Sequence, residues 1–96
     1  METMELLRKK RNDILQITSK YGAHNVRVFG SVARGETDED SDIDFLVRLE
    51  PGSTLLKHAA LIRELENLLD RKVDVISERG LRQRIKNRVL TEAISI

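Results

Sequence analysis

The sequence has no cysteine and no tryptophan, a single proline, and only one tyrosine and two phenylalanines among 96 residues. Without cysteine there can be no disulfide, no thiolate zinc site and no cysteine nucleophile. The two histidines, His24 and His58, lack the spacing of a zinc motif and read as surface or packing residues. With aromatics at 3% there is little on which unpaired bases can stack. The basic residues Arg79, Arg82, Arg84, Lys86 and Arg88 spread around a helix instead of lining one side, so direct nucleic-acid binding is not expected. A net charge of +1 supplies no general attraction to nucleic acid or anionic lipid. No apolar run has the length needed to span a bilayer, and the opening METMELLRKKR lacks the apolar stretch of a signal peptide. The expectation is a cytoplasmic protein that makes no use of a membrane.

What remains is a chain that is 40% hydrophobic and 34% charged, the balance of a folded soluble protein. Its length suits one domain with one modest core, residues 1–96. Met4 to Tyr21 has helical periodicity, with Leu7, Ile14, Ile17 or Thr18, and Tyr21 on one face, Thr3 as the expected N-cap and Gly22 just past the end. Val26 to Phe29 and Ile43 to Leu49 read as strands, the second closed by Pro51-Gly52. Ser53 is the expected cap of a helix from Leu55 to Leu69, with Leu55, Ala59, Ile62, Leu65 or Glu66, and Leu69 on its apolar face, broadened by Leu61 and Leu68. Val73 to Ile76 reads as a third strand, followed from Glu78 by a helix capped by Ser77, with Leu81, Ile85 and Val89 or Leu90 along one stripe. This order predicts an α/β (or α+β) domain: a small, mainly three-stranded mixed sheet with helices packed mostly on one face.

Two of these strands carry residues that strands avoid. Asp42 and Asp44 flank Ile43 at the head of an apolar run, and Asp74 sits between two valines. Side chains alternate along a strand, so Asp42 and Asp44 share one face, about 7 Å apart, while Ile43, Phe45 and Val47 share the other. VDVI divides the same way. If the two strands are neighbours, three carboxylates converge near one end of one face and repel one another unless a cation lies between them. Oxygen ligands of this kind suit Mg²⁺, which binds carboxylates and substrate phosphates together.

The first strand runs into GSVARG, residues 30–35. Gly30 lets the backbone approach a ligand closely, Ser31 brings a hydroxyl and the N–H groups of a turn, and Arg34 brings a guanidinium suited to two-point contact with phosphate. This is not a Walker A loop, whose Lys followed by Ser or Thr is absent. Nor does the acidic stretch 36–40 open a calcium loop. Asp40, Asp42 and Asp44 fit the first, third and fifth EF-hand positions, but the sixth is Phe45 instead of Gly and the twelfth is Pro51 instead of Glu. Phosphate donors beside candidate Mg²⁺ ligands make a nucleotide site.

Phe29-Gly30-Ser31, then Asp42-Ile43-Asp44-Phe45, then Asp74 closely resembles the motif set of the nucleotidyltransferase superfamily that includes DNA polymerase beta and the kanamycin nucleotidyltransferases. The resemblance covers the chain from Val26 onward. It is nearest to the minimal nucleotidyltransferases, antitoxins paired with HEPN-domain ribonuclease toxins, and implies a chain that ends where such domains end. It implies AMP transfer from ATP to a tyrosine hydroxyl of the toxin within a hetero-oligomer. It further implies two Mg²⁺ ions held by Asp42, Asp44 and Asp74, with Asp74 drawing the proton from the attacking hydroxyl. Gly30, Ser31 and Arg34 are then the triphosphate ligands. Larger relatives add a helical domain for their acceptor, and a 96-residue chain has little room for one, so an acceptor that brings its own surface is expected. The competing expectation is a non-catalytic antitoxin that neutralises the toxin by masking it.

Overall fold

The computed structural model describes residues 2–36 and 41–96. Its sheet has four strands in the order β3-β2-β1-β4, namely β1 Ala23–Phe29, β2 Ile43–Leu49, β3 Val73–Ser77 and β4 Ile94–Ser95. β1 pairs antiparallel with β2 and with β4, whereas β2 and β3 run parallel. A parallel pair needs a crossover, and helix α4, Leu55–Leu69, supplies it.

Alternation decides what each face of the sheet meets. Ile43, Phe45 and Val47 are fully buried and cluster with Val26, Val28, Val73 and Val75. Leu61, Leu65 and Leu69 of α4 cover them, as do Leu7 and Ile14 of the N-terminal helices α1, Thr3–Lys9, and α2, Arg11–Lys20. The helices therefore pack opposite the aspartates, as the apolar phase predicts. Leu46 is also fully buried although it lies on the aspartate side, between its register partners Arg27 and Ile76. That face is not bare.

Several local expectations are corrected. The first helix is two, separated at Lys10, which adopts φ −98° and ψ 15°. Thr3 lies inside α1, buried, and accepts a hydrogen bond from Arg71 Nη1 at 3.3 Å, while Glu2 occupies the cap position. Thr54 rather than Ser53 caps α4, its Oγ1 accepting from Lys57 N at 3.2 Å. The buried stripe of α4 centres on Leu61, Leu65 and Leu69, leaving Leu55 and Ala59 exposed. At 3.6 residues per turn Ala59 points about 120° away from Leu65, so Leu61, expected only to broaden the stripe, joins Leu65 and Leu69 at its centre, while Leu68 is partly buried. Last, the sheet gains β4, and Ser77 caps a short 3₁₀ turn, Glu78–Gly80, ahead of helix α5, Gln83–Glu92, of which Val89 is the buried anchor.

β1 also begins three residues earlier than its apolar core suggests. The register shifts between His24 and Arg27, and Asn25 takes φ 51°, a left-handed conformation that asparagine tolerates better than most residues. This bulge lets Ala23 and His24 pair with Leu49 and Arg48 in spite of the polar sequence. His24 also meets Glu50, and His58 bonds the Val75 carbonyl at 2.7 Å, so both histidines have structural partners.

Candidate active site

β2 is an inner strand, and Asp44 is paired on both sides: with Phe29 across the antiparallel ladder and with Asp74 across the parallel one. Register partners on adjacent strands, some 5 Å apart, project to the same face. Asp44 and Asp74 are therefore neighbours, with Asp44 half-buried and Asp74 exposed. Asp42 stands one residue ahead of β2, exposed, and its charge reaches Asp44 as well. Two contacts fix this strand entry. Ile43 N donates to the Lys72 carbonyl at 2.9 Å, and Arg71 Nη2 donates to the Ser41 carbonyl at 2.9 Å. Arg71 gave no functional signal in the sequence, where it reads as part of a turn.

The turn after β1 is built around one glycine. Gly30 follows β1 with φ 70° and ψ −144°, a conformation open to glycine and strained for L side chains. A Cβ at this position would lie 2.7 Å from Asp44 Oδ2. Gly30 is thus the residue that admits Asp44's carboxylate against the backbone. One helical turn follows, α3, Ser31–Arg34, pinned to the core by buried Val32 and closed by Gly35 in the left-handed region. Ser31 is partly exposed at the head of that turn. Arg34 Nε donates to Glu36 at 2.9 Å and its Nη1 to Glu92 at 2.5 Å. Glu92, on α5, also accepts from Gly30 N at 3.4 Å, and sequence reading missed it because 58 residues separate it from Arg34. Of the acidic loop 36–40, only Glu36 falls within the described residues.

The electrostatics of Asp44 follow from this crowding. Burial raises its pKa above the usual 3.8, the charges of Asp74 and Asp42 raise it further, and Arg34 opposes them. A carboxylate resisting ionisation beside two others is what a divalent cation would relieve. Among the described residues no three histidine or acidic side chains stand close enough to enclose an ion by themselves. An ion here would take part of its shell from these carboxylates and the rest from substrate phosphate and water, a division that suits Mg²⁺. A separate cavity of about 330 Å³, lined by residues including His24, Arg48, Glu50 and Arg79, opens beyond the aspartates toward the far end of β2.

The family model for the nucleotidyltransferase domain matches residues 7–96. This chain belongs to the nucleotidyltransferase family. A Methanocaldococcus jannaschii protein named as a protein adenylyltransferase is 38% identical over an alignment covering 100% of this chain and 99% of that one. A solved minimal nucleotidyltransferase is 53% identical, with a TM-score of 0.88, covering 100% of this chain and 97% of the other. A complex of the tri-AMPylated Shewanella oneidensis HEPN toxin with its MNT antitoxin aligns with a TM-score of 0.69 at 20% identity, over 92% of this chain and 69% of that one; at that identity the likeness is one of fold. The resemblance drawn from the motifs, the mixed α/β nucleotidyltransferase fold and the enzyme class all hold. Among the described residues of this nucleotidyltransferase no helix is long and apolar enough to cross a membrane.

Proposed function

We propose that this nucleotidyltransferase is a cytoplasmic antitoxin that transfers AMP from ATP to a tyrosine hydroxyl of a HEPN-type ribonuclease with which it assembles. The observation that carries the reading is the pairing of Asp44 with Asp74 across β2 and β3, directly beside the glycine that admits Asp44's carboxylate. The adenylyltransferase name of the Methanocaldococcus relative and the HEPN toxin in the Shewanella complex supply the reaction and the partner class.

Asp42, Asp44 and Asp74 would hold Mg²⁺, as a pair of ions, which when bound stabilises charge on the attacking and leaving oxygens of an in-line displacement at phosphorus. The chain's own residues do the rest. Ser31 and the Gly30 backbone orient the triphosphate, and Arg34 binds its oxygens. Asp74, the exposed carboxylate of the pair, accepts the proton of the tyrosine hydroxyl as oxygen attacks the α-phosphorus. The bond to pyrophosphate breaks, and the tyrosine leaves as an AMP diester. Positioning and electrostatics account for most of such a rate, which a small domain can provide.

The test is transfer of α-labelled AMP from ATP to the purified partner. Label should appear on a tyrosine with Mg²⁺ present, vanish with chelator, and fall by about 10²-fold or more in Asp44→Asn. Transfer that persists undiminished in chelator would remove the metal site from the reading.

A further inference from the structure

The donors assigned above to the triphosphate are engaged by a side chain of the chain itself. Glu92 presents one carboxylate oxygen to the Gly30 N–H at 3.4 Å and the other to Arg34 Nη1 at 2.5 Å. Its side chain is 18% exposed, against 63% for Glu36, the other carboxylate on Arg34. The hydrogen bond from Arg34 holds its pKa below the usual range, with smaller help from the Gly30 amide, so it is an anion at neutral pH. A carboxylate spanning a backbone N–H and a guanidinium through its two oxygens reproduces the contacts of a phosphate. The Gly30 amide has one hydrogen to give. A phosphate oxygen that accepts it must take the place of the Glu92 oxygen, and a triphosphate arriving beside a retained anion is repelled.

We propose that Glu92 is an internal phosphate surrogate, holding Gly30 and Arg34 in place while the site is empty and leaving when MgATP enters. The proposal rests on the nucleotide-site reading above. It ties nucleotide binding to the sheet edge, because Glu92 ends α5 two residues ahead of β4, whose pairing with β1 is confined to Arg27 with Ser95 and Val28 with Ile94. Exchange at Glu92 therefore loosens β4.

Calorimetric titration with MgATP, without acceptor, compares the parent with Glu92→Gln, which keeps the size and removes the charge. The variant should melt lower without ligand, yet bind MgATP about three-fold tighter or more, since an anion facing the triphosphate has gone. A residue that merely braces Arg34 gives the opposite sign, weaker binding together with lower stability. In the parent, which does not depend on the variant folding, hydrogen exchange at the β4 amide that donates to β1 should speed up when MgATP binds. Parent binding with an unchanged or weaker variant, or slower exchange at β4 on binding, would overturn the exchange and leave the nucleotide site standing. No binding by the parent at all would overturn the nucleotide site, and the surrogate with it.

Discussion

Asp44 holds its charge against resistance, and that resistance is measurable. Its folded pKa lies above its unfolded value, first through burial and then through Asp74 and Asp42. A group shifted this way contributes stability that is complete below the unfolded value, near 3.8, and is lost as pH rises through the folded value. At neutral pH the ligand-free protein thus carries a penalty that Asp44→Asn removes. The variant should melt higher than the parent at pH 7, with the gap closing as pH falls below about 3.8; a variant less stable at pH 7 would contradict this. Gly30→Ala has the reverse character. Its Cβ meets Asp44 Oδ2 at 2.7 Å on a backbone with φ 70°, so it should cost about 1 kcal/mol or more in denaturant unfolding and lose AMP transfer by displacing the carboxylate. Phase alone placed Asp44 and Asp74 on one face, because alternation survives any register that leaves the valines buried. Glu92 and Arg71 were hidden, since each acts on the site through a contact distant in sequence.

Among the elements, α4 shows how burial follows from geometry rather than composition. Leu65 is fully buried against the sheet, whereas Leu56, on the same helix, is 84% exposed. Leu65→Ala should cost about 2–5 kcal/mol in equilibrium unfolding, and Leu56→Ala should stay within about 0.5 kcal/mol. Equal effects would mean that the helix is rotated. Strand β2 was legible to its ends, as an apolar run closed by Pro51-Gly52 announces itself. β4 was not, because two residues carry no periodicity, and β1 was read short because its bulge at Asn25 interrupts the alternation. The break at Lys10 has neither glycine nor proline to mark it, so a continuous helix was the natural expectation.

At the scale of the molecule, the described residues build one sheet with its packed helices and a face of carboxylates. The acceptor hydroxyl in the proposed reaction comes from a partner protein. Catalysis and masking then differ in what a single conservative change does. Asp74 is exposed on β3, so Asp74→Asn should leave the fold and any docking surface intact while removing the proposed proton acceptor. The most direct measurement is the intact mass of the proposed HEPN-type partner after co-expression with the parent or with Asp74→Asn, read beside growth. The account predicts a partner heavier by whole AMP units and growth restored with the parent, and an unmodified partner with growth unrescued in the variant. A partner at its unmodified mass whose toxicity is nonetheless suppressed by the parent would contradict it.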